Sequence, residues 1–402
     1  MDKMDACSLS WSSLVARARC ALARLGRSAV VLATGGRVAV APYGGGAGDG
    51  AAEIVVHAPA ALASAVLAGG ELGLGEAYVR GEWECGPHTT LVDVLVALAR
   101  SPLNHPLGDA LLRFSPAFAL RRRAFVRSFG ALDRAQSARS IAAHYDDGDA
   151  LFRAFLGDEM VYTCALWPAP TLRDAQAAKV ARVLELAGVR AGEKLLDVGC
   201  GWGFLVHAAR EAGVDARGVC NCRSMVAAAR ERYGDAFELG DYRDIRATHD
   251  HAAVTAVEMI EAVPAAHYGA FVDACDRALR PGGRVVMQVI HAYPFNNPVA
   301  RSREPRPLGS FVMTHIFPGQ QIPNLDFLHE AFWRSGKFRR VRSETASHDY
   351  ARTLASWAEN LERHRAEIPA PTFRKYQYYL AFCEAGFRTE LLHLTRVVFE
   401  KL

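Results

Sequence analysis

Residues 194–210 read KLLDVGCGWGFLVHAAR. KLLDVG has the apolar run of a short strand, and the residues from 202 to 212 have the spacing of a helix. Between the two stand Gly199, Cys200, Gly201 and Gly203, with Asp197 two residues before the first glycine. Glycines lack a β-carbon, so the chain can turn sharply from strand to helix and a ligand can approach the backbone closely. The stretch therefore predicts a strand, a ligand-binding turn and a helix in immediate succession.

The pattern extends outward from this turn. A helix over 172–188 precedes it; VDARGVC, a helix over 223–233, AFELG, AAVTAVEM, a helix over 265–280 and RVVMQVI follow it. Strands alternating with helices across short connections imply a mostly parallel sheet covered on both faces, a doubly wound, Rossmann-like α/β domain. The segment 291–337 breaks the alternation with Pro294, Pro298, Pro305, Pro307, Pro318 and Pro323. It follows a strand end where ligands bind, so it is expected to cap the substrate. Upstream, AVVLATGGRVAVA (29–41) reads as two short strands and AEIVVHAP as a third, followed by helices at 60–68, 89–100 and 107–129. Two domains are expected: a small α+β unit with linker helices over 1–130, and the doubly wound domain over 131–402.

Composition narrows the function classes. A chain of 402 residues with 50% hydrophobic content can bury a large core, and a net charge of +4 is too mild for the basic stripe of a nucleic-acid binder. The nine cysteines show no disulfide spacing or CxxC repeat, so a reducing, cytoplasmic compartment is expected and no metal site is. Residues 8–32 are Arg-rich and free of acids, which fits an amphipathic first helix or an organelle transit segment. No apolar run reaches the roughly 20 residues that a bilayer span needs.

The spacing G-x-G-x-G, with an acid two residues ahead, differs from the dinucleotide fingerprint G-x-G-x-x-G. It suits S-adenosylmethionine, whose amino-acid end takes the place of a pyrophosphate, with Asp197, Gly199, Cys200, Gly201 and Gly203 at the turn. The second strand of such domains commonly ends in an acid for the ribose; here Cys220, Asn221 and Cys222 stand there, leaving Asn221 as the polar candidate. Asp241, after the third strand, is placed to reach the adenine amino group.

The block HYDDGDALFRAFLGDEMVYTCALW (144–167) resembles the segment ahead of the cofactor motif in the cyclopropane-fatty-acyl-phospholipid synthases and the related mycolic acid methyltransferases. LLDVGCGWG, DYRDI, EMIEAV, IFPGQQIPNL, DYARTLASW and YQYYLAFCEAGF continue the resemblance, and LGLGEAYVRGEWE carries it into the N-terminal unit, which is then of the lipid-binding type. The resemblance implies a methyl transfer from S-adenosylmethionine to the cis double bond of an unsaturated phospholipid acyl chain. The resulting carbocation closes to a cyclopropane when the new methyl loses a proton to a bound bicarbonate. The residues it implies for bicarbonate are Cys164, Glu261, Gln288, Ile290 and Tyr350, with Gln288 standing where many bacterial members have His; Tyr162 and Thr163 join the cofactor set. EMIEAV with a Gln-containing strand resembles the plant-type branch.

Acyl chains in a membrane require peripheral contact, and the helix around 111–129 offers Phe114, Phe118, Phe125 and Phe129 with a basic rim, which also fits a linker helix packed between domains. A homodimer is implied by the resemblance alone. Two alternatives stand beside the cyclopropane reading: a sibling lipid C-methyltransferase that leaves a methyl branch, and a non-catalytic protein that binds lipid or S-adenosylmethionine.

Overall fold

The computed structural model describes residues 32–34, 37–40, 52–100, 148–292, 310–318, 320 and 322–402. They belong to two compact units. The helix expected at 107–129 and residues 293–309, 319 and 321 of the expected cap lie outside the described residues.

The first unit is built on a four-stranded antiparallel sheet in the order β1 (Leu32–Thr34), β2 (Arg37–Val40), β3 (Ala52–Val56), β4 (Trp83–Cys85). Helices α1 (Pro59–Gly69) and α2 (Glu71–Val79) connect β3 to β4, and α3 (Leu91–Ala99) follows. Thr90 starts α3 with a capping box, its hydroxyl accepting from the Asp93 N–H at 3.1 Å while the Asp93 carboxylate accepts from the Thr90 N–H at 3.0 Å. The apolar faces of β3 and α3 need a partner, and the chain supplies it from the far end of the sequence. Helix Ala370–Arg388 belongs to this unit and buries Tyr378, Ala381 and Ala385 among Trp83, Val94 and Leu95. The expected division at residue 130 therefore leaves out a helix that this small unit uses as core.

The second unit carries the expected doubly wound fold. Its seven-stranded sheet runs β10 (Phe338–Thr345), β11 (His393–Lys401), β9 (Leu279–His291), β8 (His251–Val257), β5 (Lys194–Val198), β6 (Asp215–Cys220), β7 (Phe237–Leu239). Strands β5 to β9 pair in parallel; β11 pairs antiparallel with β9, and β10 antiparallel with β11. The central strand β8, HAAVTAV, is buried from Ala252 to Ala256, as a strand covered on both faces must be. The order reverses between β5 and β8, so the carboxyl ends of these two strands frame the crevice where such sheets bind ligands.

Of the region expected as a cap, the helix α4 (Leu325–Ser335) does something else. Its Leu325, Leu328 and Phe332 enter the core of the sheet, with the Phe332 ring stacked on Phe399 of β11 at 3.8 Å between centroids. Helical spacing of these apolar residues makes α4 a layer of the domain rather than a cover for a ligand. Phe332 is almost wholly buried, so Phe332→Ala should cost about 3–5 kcal/mol in urea unfolding, as large-to-small core changes do; a change within a few tenths would place the ring outside the core.

Candidate active site

The glycine turn has the geometry its sequence implied. Gly199, Gly201 and Gly203 have φ of 81°, 54° and 90°, values that favour glycine. A β-carbon on Gly199 would stand 2.4 Å from the Met259 side chain, whereas one on Gly201 would meet nothing within 4 Å. Gly199 is thus dictated by packing, and Gly201 faces open space. A cleft at the carboxyl ends of the strands is lined by Gly199, Asn221, Asp241, Met259, Val263 and His267, among others. These residues fit an S-adenosylmethionine molecule laid along the turn.

Not every residue expected to hold the cofactor lines this cleft. Asp197 is buried beneath the turn and accepts the Thr255 hydroxyl at 2.7 Å across the β5–β8 switch point. Burial pushes its carboxyl up to about 6. Asp241 lines the cleft, but Arg243 holds its carboxylate through two guanidinium contacts of 2.7 and 2.6 Å. Gly203 begins the helix Phe204–Glu211, and Cys200 is buried. Tyr162 lies in an aromatic cluster with Phe152, Phe155, Phe317 and Trp357, and the Thr163 hydroxyl accepts from Lys179 at 2.8 Å.

The residues expected around bicarbonate are brought together, but around a side chain that sequence reasoning passed over. Glu258 follows the end of β8, and its carboxylate accepts three hydrogen bonds: from the Cys164 N–H at 2.9 Å, from Gln288 Nε2 at 2.6 Å and from the Tyr350 hydroxyl at 2.5 Å. Glu261, three residues on, instead accepts the Ile290 N–H at 2.7 Å. Gln288 and Ile290 are alternate residues of β9 and share one face, so a single strand serves both carboxylates. Arg396, buried on the neighbouring β11 and directly opposite Gln288, donates from Nε to Gln288 Oε1 at 2.7 Å. A guanidinium has no acceptor, so the amide oxygen must face Arg396 and its NH₂ must face Glu258.

Two carboxyl groups this close do not ionise alike. Desolvation, then the charge of Glu258, pushes Glu261 up to about 8. Desolvation also raises Glu258, but Tyr350, the Cys164 N–H, Gln288 and the Lys179 ammonium pull it back. The negative charge of the pair therefore belongs on Glu258 at neutral pH, with Glu261 protonated. Glu261 Oε2 has no hydrogen-bond partner among the described residues. Lys179 is itself buried and lowered to about 8 by desolvation, against the favourable charge of Glu258. Burial raises the Cys164 thiol well above its ordinary value, so its contribution here is the backbone N–H rather than a thiolate.

Bicarbonate does not fit this arrangement. The N–H, amide and hydroxyl donors expected to hold it are engaged by the Glu258 carboxylate, and a second anion would be pressed against that charge in a place of low dielectric.

Two outcomes follow from this geometry. In the native protein Glu261 keeps its proton well above the ordinary carboxyl value of 4.5, so stability should fall as pH rises from about 4.5 to about 8. Asp197, raised to about 6, adds to the same slope, so the reading is the difference between wild type and Glu261→Gln across pH-dependent thermal melts. The variant should gain relative to wild type as pH rises; parallel curves would remove the buried proton. Gly201→Val should weaken S-adenosylmethionine binding on the order of tenfold or more, about 1.4 kcal/mol or above, in calorimetry. Unchanged binding would place the ligand elsewhere.

Comparison with known proteins agrees with this geometry. The family model "Mycolic acid cyclopropane synthetase" matches residues 132–397. The tuberculostearic acid methyltransferase UfaA1 of Mycobacterium tuberculosis (strain ATCC 25618 / H37Rv) is 32% identical over 376 residues, covering 87% of this chain and 84% of that protein. The cyclopropane-fatty-acyl-phospholipid synthase of Escherichia coli (strain K12) is 29% identical over 348 residues, covering 84% and 85%. Among solved structures, the cyclopropane synthase MmaA2 from Mycobacterium tuberculosis superposes with a TM-score of 0.60 at 25% identity, covering 66% of this chain and 98% of that one. With a glycine turn built for the methyl donor and a match that spans the whole doubly wound unit, the chain belongs to the mycolic acid cyclopropane synthetase family of S-adenosylmethionine-dependent methyltransferases, which methylate or cyclopropanate lipid acyl chains.

Proposed function

We propose that the chain converts the cis double bond of an unsaturated phospholipid acyl chain into a cyclopropane ring. The observation that carries this reading is the pair of hydrogen-bonded carboxylates, Glu258 and Glu261, in the segment after β8 whose Met259 and Val263 line the cleft of the glycine turn. A π bond is a weak nucleophile, so the encounter with the methyl group must be dry and oriented, and a proton acceptor must wait beside the cation. S-adenosylmethionine supplies the electrophilic methyl group. Gly199, Gly201, Asn221 and Asp241 would hold it; Cys164, Gln288 and Tyr350 orient a carboxylate; the apolar residues around Met259 and Val263 exclude water.

A second reading, a methyl-branched product, is favoured by the 32% identity to a tuberculostearic acid methyltransferase. It differs in its redox balance: closing a ring only requires loss of a proton, whereas a saturated branch requires an added hydride. No described helix is long and apolar enough to cross a membrane, so the acyl chain would be taken from a bilayer surface by peripheral contact.

Purified protein incubated with vesicles of cis-monounsaturated phosphatidylglycerol and methyl-labelled donor should place label in the lipid without any reductant. Mass spectrometry should find a product heavier by one CH₂ that no longer reacts as an alkene. Product formation that requires a hydride donor would establish the methyl branch instead, and donor binding with no labelled lipid would establish a non-catalytic protein.

A further inference from the structure

The placement of Glu258 has a cost in the backbone as well as in solvation. Its φ is +51°, in the left-handed region that favours glycine and strains a residue with a β-carbon. Strain of this kind persists where the surroundings over-determine it, and it gathers at functional sites. The surroundings here are the three donors from Cys164, Gln288 and Tyr350, which come from separate parts of the second unit and converge on one carboxylate. One residue further, Met259 packs against Gly199 and lines the cofactor cleft, so Glu258 is the chain neighbour of a residue of that cleft. Glu258 also remains partly exposed, unlike buried Glu261.

We propose that Glu258 is the general base of the reaction, a carboxylate built into the chain that does the work the resemblance assigned to an exogenous bicarbonate. This rests on the proposed ring-forming activity. The π electrons of the cis double bond form a bond to the methyl carbon as the carbon–sulfur bond breaks, its electron pair leaving with sulfur as S-adenosylhomocysteine. One former alkene carbon is left cationic. Glu258 takes a proton from the new methyl group, and the electron pair of that C–H bond closes the ring onto the cation. The neutral acid then returns its proton to solvent. Atoms and charge balance with no oxidant, reductant or added anion. Glu261, protonated at neutral pH and tied to the Ile290 N–H, is a positioning residue that leaves the single charge of the pair on Glu258.

The test uses the full-length protein, labelled donor and unsaturated phospholipid vesicles in buffer stripped of carbonate. Wild-type turnover should be indifferent to added bicarbonate. Glu258→Gln keeps the size and hydrogen-bonding shape but cannot accept the proton, and turnover should fall by roughly 100-fold or more with no recovery on adding bicarbonate. Glu258→Gly suits the positive φ and vacates the donors; it should lose turnover similarly and regain part of it when bicarbonate is supplied. A wild-type rate that rises several-fold with bicarbonate, full activity in Glu258→Gln, or an inactive Glu258→Gly that bicarbonate does not rescue would each overturn the assignment. A second readout is independent of turnover: ¹³C-labelled bicarbonate should show bound-state line broadening with Glu258→Gly and none with wild type. If wild type makes no labelled lipid, the proposed activity fails, while this comparison still decides whether the carboxylate fills the anion pocket; bicarbonate bound to wild type would show that it does not.

Discussion

The constraint on which this site turns is the burial of a single negative charge. A carboxylate removed from water loses several kcal/mol of solvation, and only well-placed donors return it. Glu258 has three of them, with the Lys179 ammonium as a further favourable charge. Each donor is fixed by something else: Gln288 by Arg396 on the neighbouring strand, Tyr350 by its position on the helix Ser347–Arg363, and the Cys164 N–H by a segment whose aromatic neighbours pack together. The charge is therefore a tie between parts of the second unit as well as a chemical group.

Sheet register makes that tie possible. Gln288 is paired with Val257 on one side and with Arg396 on the other, so the residue after β8, the amide on β9 and the guanidinium on β11 fall in line across three strands. Asp197 and Thr255, also paired in register, join β5 to β8 at the switch point. A slip by one residue would turn the Gln288 side chain to the opposite face and take it from Glu258. The antiparallel strands β10 and β11 matter to the chemistry for this reason, although neither approaches the glycine turn.

The parts of the molecule legible in the sequence were those written in local pattern. The strand–glycine–helix run at 194–210 and the alternation around it fix their own conformation, and the structure follows them closely. Strand β10, FRRVRSET, gave no such signal: it lies at the sheet edge with most of its side chains toward solvent, so no apolar alternation marks it. The prolines before helix α4 suggest a cap, although Leu325, Leu328 and Phe332 have the spacing of a buried face. Glu258 was hidden in a different way. Its donors lie far apart in the chain, its positive φ is invisible to any propensity, and Glu261 three residues later drew the attention that EMIEAV attracts. The available signal was the joint presence of a second acid in that hexapeptide and an amide, rather than an imidazole, at 288.

The helix Ala370–Arg388 bears on how the chain is made. The strands of the small antiparallel unit leave the ribosome long before Tyr378, Ala381 and Ala385, which complete its core. Contacts of such long sequence separation carry a high loop-closure entropy and form late. Until that helix has been made, β3 and α3 present an incompletely covered apolar face, a state in which a nascent chain depends on chaperones or risks association with its neighbours.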